Sequence, residues 1–170
     1  MMTSSDPCVQ YLLDRQAILD CVNRYARGLD RHDEAILLSV YHENAVDEHG
    51  PFTGNREDFI KWANDFHAEH FVSHTHNIAT HNCSIDGDTA HAESYCLYAL
   101  RRKNNKTVAI GGARYIDKLT KKNGEWRIEL RKVYIDWRAE AETSMPGTYP
   151  VGVWSRADSS YDRPLKPGKS

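Results

Sequence analysis

The chain has 170 residues, 22 Lys+Arg against 24 Asp+Glu and a formal net charge of −2, with 40% hydrophobic and 27% charged residues. That balance fits one globular domain plus a tail; it excludes a disordered chain and a strongly basic nucleic-acid binder, which would gather surplus Lys and Arg on one face. No apolar run reaches the roughly 18 residues of a membrane span, and residues 1–7 carry neither a basic nor an apolar signal segment, so a cytoplasmic protein without nucleic-acid or membrane partners is expected.

Tyr11 to Leu29 sets Leu12, Leu13, Ile18, Val22, Tyr25, Ala26 and Leu29 at helical spacing, which predicts an amphipathic helix. A short second helix is expected from Asp33, its cap, through Ile36, Leu37, Val40 and Tyr41. Ala45 to His49 reads as a strand stopped by Gly50-Pro51. Asn55 or Gly54 then opens a third helix, Arg56 to about His70, with Phe59, Ile60, Trp62, Ala63 and Phe66 on its apolar face. From Val72 the period becomes two. Four strands, 72–85, 89–101, 107–119 and 126–137, are separated by short polar turns, which predicts an antiparallel, curved sheet. Gly111-Gly112, inside a strand, reads as a bulge or bend. Residues 138–170 hold Pro146, Pro150, Pro164 and Pro167 and form a tail; its Tyr149, Val151, Val153, Trp154 and Tyr161 predict that part of it lies on an apolar surface.

The expected fold class is α+β: a cone-shaped barrel of curved, mainly antiparallel sheet covered by three N-terminal helices, spanning 1–137, with the tail at 138–170. Such a cone leaves a mouth for a small molecule. Cys8, Cys21, Cys83 and Cys96 stand far apart and are expected as reduced thiols.

Nine histidines are present, and two concentrate the chemistry. His74 and His76 are two apart on the first long strand, so they share a face, with His81 expected on the other. Asp30, at the end of the first helix, is either a surface acid or an inward carboxylate; inside, the negative end of the helix dipole requires a compensating donor or cation. Asp30 with His74 and His76 has the composition of a two-histidine, one-carboxylate metal set, ranked below a metal-free base in which Asp30 holds one imidazole. Side chains expected to line the cone are His49, Trp62, Phe66, Tyr98, Tyr115 and Arg131. Tyr95 and Tyr98 fall on opposite faces, as do Arg114 and Tyr115, so only one of each pair can point inward.

Tyr25-Ala-Arg-Gly-Leu-Asp30, His76, Ile85-Asp-Gly-Asp-Thr-Ala90, Gly111-Gly-Ala-Arg-Tyr115 and Asn123-Gly-Glu-Trp-Arg-Ile128 resemble the SnoaL-like branch of the nuclear transport factor 2-like superfamily, over roughly residues 10–137. The set Tyr25, Asp30 and His76 is similar to that of scytalone dehydratase, bile-acid 7α-dehydratase and hexachlorocyclohexane dehydrochlorinase. The resemblance implies a cofactor-independent lyase acting on a small aromatic or cyclic compound. In it His76 is the base, Asp30 its orienting partner and Tyr25 a hydrogen-bond donor in the pocket, with no metal. It also implies a homodimer or homotrimer. Dehydration and retro-aldol loss of a small aldehyde both need a base at this point. Leu100 or a neighbour, Ala113 and Tyr115, and Tyr134 or Ile135 stand where some relatives carry polar pocket residues, with Arg131 near the last of these. A non-catalytic ligand-binding domain and a structural small subunit of a ring-hydroxylating dioxygenase are the alternative readings.

Overall fold

Asp6 caps the first helix: its side chain accepts the Cys8 N–H at 2.8 Å, and Pro7 follows at a position where a missing N–H costs nothing. The first helix, α1 (Pro7–Arg31), therefore starts four residues before the apolar stripe, and it buries Ile18, Cys21, Val22, Tyr25 and Leu29. The computed structural model describes residues 6–144 and 147–167; residues 1–5, read for a signal segment, and Pro146 of the tail lie outside the described residues.

Asp33 caps α2 (Glu34–Val40) by accepting the Ile36 N–H at 3.1 Å. Tyr41, placed by its spacing at the end of that helix, instead opens β1 (Tyr41–His49). β1 stops at Gly50-Pro51, as expected; that pair is also a hairpin turn, because a short strand unmarked by any alternation, β2 (Phe52–Asn55), pairs back on β1. Asn55 caps α3 (Arg56–His70), accepting the Asp58 N–H at 2.8 Å. The long strands follow as β3 (Phe71–Asp86), β4 (Thr89–Arg102), β5 (Thr107–Lys122) and β6 (Glu125–Glu142), the last running on past Trp137.

The six strands form one sheet in the order β2-β1-β6-β5-β4-β3, antiparallel except where β1 runs parallel to β6. The helices cover its concave face, so the fold is the α+β cone that the sequence predicts. Tyr25, Tyr41, Phe59, Leu37, Leu119 and Ile128 are fully buried between the layers. Trp126 belongs to this core and donates Nε1–H to Asp14 at 2.7 Å. The four cysteines are free. No helix among the described residues is long and apolar enough to cross a membrane.

Register shifts interrupt the long strands at several points. Beside Gly112 the β5–β6 register slips by one residue, as the glycine pair predicts. A Cβ on Gly111 would run into the Tyr98 ring and sit 2.8 Å from the Trp137 carbonyl oxygen. Gly111→Val is therefore expected to displace Tyr98 and cost about 1–3 kcal/mol of stability, read as a lower denaturation midpoint.

The tail folds back on the end of α1, but mostly through polar contacts. Arg31 pairs with Asp158 at 3.2 Å, and Tyr161 donates its hydroxyl to Asp33 at 2.7 Å. Trp154 stacks on His32 with ring centroids 4.1 Å apart. Tyr149, Val151 and Val153 remain exposed, contrary to the apolar docking expected of them.

Candidate active site

Asp30 closes the last turn of α1 and points inward, its side chain 14% exposed. The carboxylate is compensated by two donors from β3. Oδ2 accepts the His76 backbone N–H at 2.9 Å, and Oδ1 accepts Nδ1–H of the same residue at 2.7 Å. This double clamp fixes both the ring's place and its tautomer, since a carboxylate can only accept; Nε2 is left as the nitrogen with a free lone pair.

His74 lies on the same inner face, as its spacing predicts, but does another job. Its Nε2–H donates to the Leu29 carbonyl at 2.9 Å, and its side chain is fully buried. The oxygen and nitrogen atoms of Asp30, His74 and His76 do come within 4.8 Å of one another, yet the bonds of Asp30 and of His74 Nε2 are taken up as described. His81 departs from expectation. A bulge between Ile78 and His81 adds one residue to β3 and reverses the alternation, so His81 turns to the inner face and bonds Ser94 Oγ at 2.8 Å.

His76 opens onto a cavity of about 370 Å³. Of the residues expected to line the cone, His49, Trp62, Phe66, Tyr98 and Tyr115 do so. The walls are otherwise apolar, from Leu29, Leu100, Ala113, Val133 and Ile135, and Arg102 and Arg138 add charge. Tyr98 faces in and Tyr95 is exposed; likewise Tyr115 is buried, with Arg114 outside on Asp136. His49 sits with Nδ1 3.3 Å from Asp47 Oδ1, and Asp47 is fully buried, held at Oδ2 by the Tyr41 hydroxyl at 2.5 Å.

Tyr25 and Arg131 are not on the cavity wall, and both expectations for them need correcting. Each is 0% exposed. The Arg131 guanidinium lies 3.9 Å from the Tyr25 ring centroid and 4.5 Å from that of Tyr115, and it makes two hydrogen bonds to Asp117, at 2.7 and 2.6 Å. The physical reason is pairing: an arginine that points into the core finds its acid on the neighbouring strand and stays there. Burial also pushes the Tyr25 phenol far above its ordinary value. Neither group is placed to touch a ligand.

His67, on α3, is not among the residues to which the sequence assigns a role, yet it lines the cavity and is 8% exposed. Its position four residues after Ala63, on the buried stripe of α3, is the sign that marked it. Burial, reinforced by neighbouring imidazoles, pulls its pKa down to about 2; burial likewise takes His74 to about 4. Unfolded histidines take up protons near pH 6.5, so between there and pH 4 the unfolded chain binds protons that the folded chain refuses. Stability is accordingly complete above about pH 6.5 and declines as the pH falls, at roughly 1.4 kcal/mol per unit for each ring. Urea midpoints at pH 7.5 and pH 5 are expected to differ in that sense, and equal midpoints would refute it.

The pattern of the SnoaL-like domain matches residues 10–132. No curated protein sequence matches the chain. Among solved structures it is similar to a hexachlorocyclohexane dehydrochlorinase, with 17% identity, TM-score 0.75, and 82% of this chain and 98% of that one covered. A dehydrochlorinase from Novosphingobium barchaimii aligns with 17% identity and TM-score 0.70 over 84% and 97% of the two chains. A scytalone dehydratase-like protein from Novosphingobium aromaticivorans gives 18% identity and TM-score 0.70 over 82% and 97%. At such identities the likeness establishes a shared scaffold. With the domain pattern covering most of its length and the same cone found in these structures, the chain belongs to the SnoaL-like domain family.

Proposed function

We propose that this protein is a cofactor-independent lyase in which His76 removes a proton from a small aromatic or cyclic substrate and Asp30 stabilises the imidazolium that forms. The observation supporting it is the Asp30–His76 clamp, at 2.7 and 2.9 Å, opening onto a largely apolar cavity.

His76 Nε2 takes the proton from a carbon acidified by a neighbouring carbonyl or ring. The carbon's electron pair forms the new double bond, and the leaving group on the adjacent carbon departs with its own bonding pair. When that group is hydroxide, a proton from His49 or the Tyr98 hydroxyl turns it into water. In the retro-aldol variant the same nitrogen takes the hydroxyl proton of a β-hydroxy carbonyl substrate, the C–C bond breaks with its electron pair moving into the carbonyl as an enolate, a small aldehyde leaves, and the imidazolium returns the proton to the enolate carbon. Aromatic walls from Trp62, Phe66 and Tyr115 suit a planar ring. The outer face of β4–β6 exposes Tyr95, Leu97, Tyr134 and Trp137, and association of two or three copies would cover them; sedimentation at a multiple of 19.5 kDa checks this.

The test is incubation of the protein in D₂O with cyclic β-hydroxy ketones and aryl-substituted alcohols, followed by proton NMR. The proposal expects product or deuterium incorporation that depends on His76. Tight binding without chemistry, with His76→Gln changing only affinity, would make the protein a ligand-binding domain instead.

A further inference from the structure

Three imidazoles meet where the end of α1, the last turn of α3 and the start of β3 converge. A ring nitrogen from each of His32, His67 and His74 lies within 4.8 Å of the other two. His32 Nε2, His67 Nδ1 and His74 Nδ1 are each buried with no hydrogen-bond partner among the described residues. Burying one polar atom unpaired is costly, and three gathered in one place call for a shared partner.

The surroundings are built around these rings. His32 sits at the end of α1 in left-handed backbone, φ 50°, where glycine or asparagine is the usual choice. Trp154 from the tail stacks flat on it, 10° from parallel. His67 and His74 are 8% and 2% exposed, with ring centroids 4.2 Å apart. Because the Leu29 carbonyl can only accept, His74 carries its proton on Nε2 and its lone pair on the unpartnered Nδ1. Asp30 Oδ1 lies 3.9 Å from that same Nε2. A histidine backed by a carbonyl and a carboxylate, with its other nitrogen bare, has the outer-shell arrangement typical of a metal ligand.

We propose that His32, His67 and His74 form a three-histidine site for a divalent transition metal, zinc foremost, with water in the fourth position. Imidazole donors without carboxylates suit zinc and its neighbours in the first transition row rather than magnesium or calcium. The site uses neither Asp30 nor His76 as a ligand, so it stands whether or not that pair is catalytic. Ligation would join α1, α3 and β3 at one point, with His67 on the cavity wall and His32 and His74 behind it.

The experiment uses the full chain, stripped with a chelator, dialysed, and titrated with Zn²⁺ by calorimetry and with Co²⁺ by visible absorption. One metal per chain, the d–d bands of four-coordinate cobalt, and a raised thermal midpoint with zinc are expected. His32→Gln and His67→Gln should each weaken zinc binding roughly 100-fold or more and abolish the cobalt bands, with His91→Gln as an unaffected control. Cooperative unfolding confirms that each variant is folded; His32 is only partly buried, so its variant decides if His67→Gln misfolds. His76→Gln should retain zinc affinity. Failure of the folded wild type to take up one equivalent, unchanged affinity in His32→Gln, or loss of zinc in His76→Gln would each overturn the proposal.

Discussion

Replacement of His76 by Gln is expected to lower elimination turnover by about 10²–10⁴-fold, the range that a positioned general base supplies. Ligand affinity should change little, because the cavity's contact area comes from Trp62, Phe66 and Tyr115 rather than from the base. The loss therefore belongs in kcat, the mark of an interaction made in the transition state. Asp30→Asn should lower the rate as well, since the amide removes the negative charge that balances the imidazolium 2.7 Å away. A fall in affinity with kcat intact would remove His76 from the chemistry.

The largest effect on stability is expected at Arg131. Truncation to Leu leaves Asp117, itself 0% exposed, as a buried carboxylate without its partner. Breaking one side of such a pair typically costs about 3–5 kcal/mol, which for a chain of this length lowers the thermal midpoint by roughly 6–20 °C. Replacing Asp117 by Leu in the same chain should recover most of that loss, because no unpaired charge then remains. Calorimetry on the two single variants and the double variant measures the coupling directly. Ligand affinity of folded Arg131→Leu should match that of the wild type, since Arg131 does not line the cavity. An unchanged midpoint would show that the pair is solvated.

Helix and strand periods were legible because each rests on local spacing: the stripe from Ile18 to Leu29 and the alternation in β4 lead to the same buried positions in the fold. The Asp30–His76 pairing was legible through the family resemblance; spacing alone left Asp30 open as a surface acid. What escaped depends on register. The bulge before His81 has no residue signature, yet it reverses every side chain after it. Arg131 reads as a cavity or solvent residue until β5 is set beside β6 and Asp117 comes opposite it. One clue was present, since Asp117 stands between Tyr115 and Leu119 on the inward period of β5. His32 and His67 went unnoticed for the same reason: 35 positions and two strands separate residues that only the folded chain brings together.

The central claim is that a carboxylate holds one imidazole so that a bare nitrogen faces the cavity. Long-range ¹H–¹⁵N correlation spectra of the ring nitrogens, assigned with His76→Gln, test it most directly. The neutral ring of His76 should show a protonated Nδ1 and an unprotonated Nε2, and Asp30→Asn should disturb that pattern. A proton found on Nε2, or a tautomer indifferent to Asp30, would contradict the account.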